Sequence, residues 1–328
     1  MIDVLCMGRS SIDLYAHEIG VPITGVKSFD AYVGGCPLNV SVGTRRLGLR
    51  SALLTAVGTD QVGDFVLDFL EREGVRTECI PRIAERRTSA VLLTIDPPDR
   101  FPLTFYRDNC ADLGLTMAHV KAAPLADSTI VFVSGTGLSQ EPSRTATFFA
   151  AESARALGCT VVVDIDYRPG LWPSAEAFGV NVRALLGYAH LAIGTQEEVI
   201  AASGADDEGQ GANRLLDAGL PALVLKRGAG GASVCRRGEE PVTVPPFTIE
   251  VLNVLGAGDA FASGFLYGQV SGWTLEESAR FGNATGAIVV TRHGCANFMP
   301  TLSEVHDFFK AQGAPIPPFP PSAANRSK

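Results

Sequence analysis

Residues 253–261 read NVLGAGDAF and place one carboxylate, Asp259, directly behind two glycines and an alanine. Apolar Ile249, Val251 and Leu252 precede the stretch, and the small-residue helical segment DAFASGFLYGQV follows it. A chain passing through Gly256-Ala257-Gly258 into a helix leaves several backbone N–H groups free at the positive end of the helix dipole. That is an anion hole, and the small residues let a phosphoryl group approach the backbone closely. Asp259 has two readings at this joint. It is a helix N-cap that accepts orphan N–H groups, or a general base beside a phosphate, taking the proton of an attacking hydroxyl. Spacing alone leaves both open. The stretch is no Walker loop, because no G-K-[ST] follows, and no dinucleotide fingerprint, because G-x-G-x-x-G spacing is missing.

Further residues could hold ligands. FPLTFYRD ends in Arg107 and Asp108, and DIDYRPGLW delivers Arg168 after an apolar strand, at the strand edge where open α/β sheets bind ligands. Two guanidinium groups would suit a carboxylated sugar, since guanidinium pairs bidentately with carboxylate. Glu197 in LAIGTQEEV is at least a helix-start acid favoured by the dipole. LKRGAGG carries Lys226 and the turn glycines Gly228 and Gly231 after a strand, and Asn283 lies on the small-residue helix of FGNATG.

The elements that must position these residues follow from the hydrophobic pattern. Short β-branched runs, IDVLCMG, SALLTAV, TIVFVSG, TVVVDID, AHLAIG and PALVLKRG, are what a parallel sheet covered on both faces requires. Between them, segments such as PSRTATFFAAESARALG and QEEVIAASG show helical spacing and end in glycine. The alternation predicts a doubly wound, mainly parallel α/β sheet flanked by helices. Residues 14–32 and 88–107 break it. The second reads as two strands around the turn DPPDRFP, and both segments could pair into a small β lid over a cleft. The expected division is a core of 1–13, 33–87 and 108–312, a lid of 14–32 and 88–107, and an extended proline-rich tail of 313–328.

Bulk properties exclude several classes. A net charge of −8 supplies no basic stripe for nucleic acid. With 46% hydrophobic and 19% charged residues the chain reads as globular, and no apolar run reaches the roughly 18 residues of a membrane span. The start MIDVLCMGRSSIDLY reads as a strand and not a signal peptide, so a cytoplasmic location is expected. Seven scattered cysteines without a C-x-x-C pair support neither a disulfide framework nor zinc, and the five histidines show no paired spacing.

GAGDAF closely resembles the C-terminal signature of the ribokinase-like (PfkB) carbohydrate kinases, and GGCPLNVSVGTRRLG at 34–48 resembles their N-terminal glycine signature. The two occur in the family's order and at its chain ends. The resemblance implies ATP-dependent phosphorylation of a sugar hydroxyl, with Asp259 as base and the Gly256-Ala257-Gly258 backbone as anion hole. It implies substrate contacts at Asp13, Gly34, Gly35 and Asn39, and nucleotide contacts at Lys226, Gly228, Gly231, Gly258 and Asn283. Relatives carry N-x-x-E where this chain has Gly194 and Glu197, which implies Mg²⁺ held by Glu197 through water. Some members use K⁺ near the anion hole with Asp as the first motif residue; here that residue is Asn253. With Arg107 and Arg168 the pattern resembles the family's sugar-acid kinases, through GRSSIDLY, IGVP, FPLTFYR, IGTQEE and NVLGAGDAF above all those of inositol catabolism. The alternatives are a 2-keto-3-deoxygluconate kinase, a fructokinase, or a non-catalytic sugar- or nucleotide-binding regulator. Exposed lid strands carrying Tyr32, Phe101 and Phe105 suggest a homodimer through the lid.

Overall fold

The computed structural model describes residues 1–95 and 101–317; most of the expected DPPDRFP turn and the end of the tail fall outside them. The strands are β1 (Ile2–Met7), β2 (Ser11–Ile19), β3 (Phe29–Gly34), β4 (Ser51–Leu54), β5 (Ser89–Ile95), β6 (Leu103–Tyr106), β7 (Ser128–Ser134), β8 (Thr160–Asp164), β9 (Leu191–Thr195), β10 (Ala222–Lys226), β11 (Ala232–Arg236) and β12 (Val242–Val244). The helices are α1 (Cys36–Arg46), α2 (Gln61–Glu73), α3 (Met117–Ala122), α4 (Ser143–Ala156), α5 (Ala175–Leu186), α6 (Gln196–Ser203), α7 (Glu208–Asp217), α8 (Ala257–Val270), α9 (Leu275–Val289) and α10 (Leu302–Ala311).

The large sheet has the order β12-β11-β10-β9-β8-β7-β1-β4. It is parallel from β4 to β10, and β11 and β12 extend it antiparallel. The six apolar runs of the sequence are its parallel strands, and alternation along each sends successive side chains to opposite faces. Leu5, Met7, Val131, Val133 and Val163 pack with Ala150, Val182, Val199 and Leu215 of α4–α7. Val4, Cys6, Phe132 and Val162 pack with Val40, Phe265, Phe281 and Phe309 of α1 and α8–α10. Each such buried side chain contributes roughly 1.5–3 kcal/mol, so both faces must be covered for the sheet to persist.

The chain leaves β1 for β4 on one side and continues through β7 to β10 on the other. The order therefore reverses at β1/β7, and the crevice beyond the carboxyl ends there is where a ligand belongs. A smaller sheet, β3-β2-β5-β6, stands beside it. Its β2 begins at Ser11, so Asp13, grouped with the core in the expected division, is a residue of the smaller sheet. A small apolar cluster of Tyr15, Val91, Leu93 and Cys295 joins this sheet to the loop after α9.

Candidate active site

Helix α8 starts at Ala257, and its N-cap is Gly256 in the left-handed region (φ 78°), with no side-chain cap. A Cβ at 256 would lie 2.9 Å from the Cα of Cys295, so glycine is required there by conformation and by space. Asp259 is thus the third residue of the helix, not its cap. Its Oδ2 accepts from Asn39 Nδ2 at 2.6 Å, which leaves Asn39 Oδ1 buried and unpartnered. A carboxylate in the first turn of a helix, aligned by an amide of α1, is placed to take a proton.

Asp13 and the glycine pair meet at the β2/β3 pairing. A Cβ on Gly34 would overlap the Asp13 carboxylate, and one on Gly35 (φ 107°) would overlap the Arg9 carbonyl, so both glycines serve close approach. Ser11 Oγ donates to Asp13 Oδ1 at 2.7 Å. Burial raises the Asp13 pKa above its ordinary value, against Arg9 and the Ser11 hydroxyl, and Asp259 adds to the rise.

The carboxyl ends of β8, β9 and β10 bring a second charged group together. Lys226 Nζ lies 3.3 Å from Asp164 Oδ2 and 4.0 Å from Glu198 Oε2. It also lies 3.3 Å from where a Cβ on Gly258 would sit, so this ammonium adjoins the anion hole. Burial disfavours its charge, but Asp164 and Glu198 outweigh burial and hold its pKa above the ordinary lysine value. Arg168 Nη2 pairs with Asp166 Oδ1 at 2.9 Å. Asp166 is the main cause of the raised Arg168 pKa, and Glu198 and Asp259 add to it. Burial alone would raise the Asp166 pKa; Arg168 and the Ser134 hydroxyl (2.6 Å) bring it below the usual range.

A cleft of about 560 Å³ adjoins Lys226 and Gly258 and is lined by Gly228, Gly231, Phe247, Val254, Asn283 and Val290 among others. Gly231 (φ 81°) presses on the Val244 carbonyl, and a Cβ there would overlap it. Asn283 Nδ2 donates to the carbonyls of Val244 (3.2 Å) and Pro245 (2.9 Å), fixing one wall of the cleft.

Two expected residues are corrected. Glu197 is exposed, whereas Glu198 is 6% exposed and faces Lys226. Helix α6 begins with a capping box, in which Thr195 Oγ1 accepts from the Glu198 N–H and Glu198 Oε2 accepts from the Thr195 N–H, which turns Glu198 inward and Glu197 out. T-x-x-E from 195 to 198 was the signal for it. Arg107 offers no open fork. It is 3% exposed, with Asp112 at 2.6 Å and with Thr136 O and Ser139 Oγ both at 3.1 Å. A buried guanidinium takes the nearest carboxylate, five residues on, and so ties the smaller sheet to the loop after β7. Arg9, Asp164, Asp166 and Glu198 are buried charged residues beside this candidate site that motif reading alone passed over.

Among the described residues no three His, Cys, Asp or Glu side chains group as a metal ligand set. Glu198 and Asp164 nevertheless fit a magnesium ion that keeps its waters. Asn253 does not fit a charged cation ligand. Its Oδ1 accepts from the Leu255 N–H at 2.8 Å, which fixes the amide and leaves Nδ2, a donor, buried and without a partner.

The family pattern described as pfkB family carbohydrate kinase matches residues 1–302, and the chain belongs to that family. The 5-dehydro-2-deoxygluconokinase of Shouchella clausii is 36% identical over 94% of this chain and 96% of its own. A fructokinase with bound ATP from Xylella fastidiosa superposes with a TM-score of 0.86 at 28% identity, covering 95% of this chain and 99% of that one. A fructokinase double mutant from Vibrio cholerae O395, in its fructose, ADP and potassium ion bound form, superposes at 0.85 with 26% identity over 94% and 98%. No helix among the described residues is long and apolar enough to cross a membrane.

Proposed function

We propose that the chain is an ATP-dependent sugar-acid kinase that phosphorylates 5-dehydro-2-deoxy-D-gluconate on its 6-hydroxyl, in inositol catabolism. The observation that carries the chemistry is Asp259, aligned by Asn39, at the start of α8 beside Lys226. The 36% identical relative of that name supports the substrate. ATP takes the cleft between Gly228, Gly231 and Asn283, with its phosphates toward Gly258 and Lys226. The sugar lies between Asp13, Gly34, Gly35, Asn39 and Asp259, beneath the smaller sheet, which acts as a lid.

Asp259 accepts the proton of the 6-hydroxyl as that oxygen bonds to the γ-phosphorus. The bond from the γ-phosphorus to the bridging oxygen breaks, and its electron pair leaves on ADP. The backbone N–H groups at the start of α8 meet the charge that develops on the phosphoryl oxygens, and Lys226 and Arg168 supply the cations. Glu198 and Asp164 would hold a magnesium ion through its waters, which would supply neutralisation of phosphate charge. No step uses a charged ligand at Asn253. Lid closure excludes water and so limits wasteful hydrolysis of ATP. The open edges of β3 and β6 make a homodimer through the lid part of the same proposal, as is a cytoplasmic location.

The test is ADP release by the purified protein with a panel of sugars and sugar acids. The expected result is turnover of the 5-dehydro-2-deoxy acid far above that of 2-keto-3-deoxygluconate or fructose. Comparable rates on fructose would overturn the sugar-acid reading, and no ADP release with any acceptor would leave a binding protein on a kinase fold.

A further inference from the structure

We propose that Arg9 is the receptor for the substrate's carboxylate, an inference that rests on the sugar-acid reading above. Both arginines that the sequence offers for this role are engaged elsewhere. Arg107 is buried on Asp112, and Arg168 has Asp166 at 2.9 Å. Arg9, one residue beyond Gly8 at the end of β1, is 7% exposed, and among the described residues it has no carboxylate within ion-pair distance. Its Nη1 donates to Ser11 Oγ at 2.9 Å, and its Nε is buried without a partner. Its guanidinium carbon lies 5.4 Å from the ring centroid of Phe105, a residue of β6, whose face attracts the cation.

A buried guanidinium with an orphan N–H is costly unless an anion completes it. Among small ligands a carboxylate suits it best, because its two oxygens accept from Nε and an Nη together. Asp13 links the two ends of the site, since it receives the Ser11 hydroxyl that Arg9 also holds and lies within electrostatic reach of Asp259. A six-carbon acid carries its carboxylate and its 6-hydroxyl at opposite ends. With the hydroxyl on Asp259 and the middle of the chain on Asp13, the carboxylate falls to Arg9. A neutral ketohexose leaves Nε unsatisfied, which disfavours it. Because Ser11 and Phe105 belong to the smaller sheet, the same carboxylate also draws that sheet onto the substrate.

The test measures ADP release by the wild type, Arg9→Gln and Arg9→Lys with the 5-dehydro-2-deoxy acid and with fructose, together with the KM for ATP and thermal melts. Arg9→Gln should raise the KM for the acid about 100-fold, the loss of a charge-assisted pair. The ratio of acid to fructose kcat/KM should fall at least about tenfold, because only the acid carries the carboxylate, and the KM for ATP should stay within about twofold. Arg9→Lys keeps the charge but loses the fork, and should raise the KM for the acid about tenfold and by more than the KM for fructose. A wild type that prefers fructose overturns the sugar-acid reading and this assignment together. A wild type that prefers the acid, with variants that keep the preference or lose both substrates equally, overturns the assignment alone.

Discussion

Asn39 Nδ2 donates to Asp259 Oδ2 at 2.6 Å across 220 positions of sequence, so the two signature segments of the chain meet in one hydrogen bond. The bond sets where the carboxylate lone pairs point, and a misaligned base loses catalysis before binding suffers. Asp259→Asn should therefore keep ATP binding and lose about 10²–10⁴-fold in kcat. Asn39→Ala should lose about 10–100-fold in kcat with the KM for ATP little changed. Asn39→Asp would set a second carboxylate against the first, and the acid limb of its kcat–pH profile should move to higher pH. Steady-state kinetics over pH 5–9 checks all three, and a near-normal Asp259→Asn sinks the assignment of the base.

The acid at the start of α6 gives a second contrast. Glu198 approaches Lys226 at 4.0 Å, while its neighbour Glu197 faces solvent. Glu198→Gln keeps an oxygen for the Thr195 N–H and so keeps the helix start, but it removes a charge from the expected magnesium shell. Its kcat/KM for Mg-ATP should fall about 10–100-fold, as for other residues that hold metal ligands in place. Glu197→Gln should stay within about twofold, since surface substitutions away from a site change little. Titration of activity against magnesium separates the pair, and equal losses would reject the placement of the ion.

The α/β layering was legible because each parallel strand is a short, continuous apolar run between helices that end in glycine. Asp259 stood out in the sequence as a candidate base, but spacing alone left the helix-cap reading open. Whether GAGDAF starts its helix at Gly256 or at Asp259 depends on the left-handed Gly256 against Cys295, a contact from another part of the chain. That Glu198 and not Glu197 is buried has a local cause, since a capping box sets which of two adjacent acids turns inward. Arg107 and Arg9 could not be told apart by pattern. Each follows a strand, and only packing reveals that one has Asp112 and the other has no ion-pair partner among the described residues.

Asp13 yields a prediction in which stability and function move in opposite directions. Burial raises its folded pKa above the unfolded value of about 3.9, despite Arg9 and Ser11. The folded chain therefore holds that proton more tightly than the unfolded chain does. Stability contributed by this group falls as pH rises from the unfolded value through the folded one, and the full penalty stands above both. Asp13→Asn removes the penalty. Its melting temperature relative to wild type should rise across that window and level off above it, while sugar binding is lost. Thermal melts of both proteins at intervals from pH 4 to pH 8, with sugar titrations at pH 7.5, check this. A variant less stable than wild type at every pH would reject it.

Arg107 marks the difference between a buried charge that holds the fold and one that holds a ligand. Its guanidinium and the Asp112 carboxylate are 3% and 1% exposed and pair at 2.6 Å, and Arg107 Nη1 also donates to Thr136 O and Ser139 Oγ. Removing one partner leaves the other charge buried and unpaired, which costs about 3–5 kcal/mol. Arg107→Gln should therefore lose about that much in urea unfolding, and its remaining folded fraction should keep the wild-type ratio of acid to fructose turnover. Replacing both partners together, Arg107→Met with Asp112→Leu, should recover part of the loss, because no lone charge then remains in the interior. If Arg107→Gln instead unfolded like wild type and lost its preference for the acid, Arg107 would be a ligand residue and its pairing with Asp112 incidental.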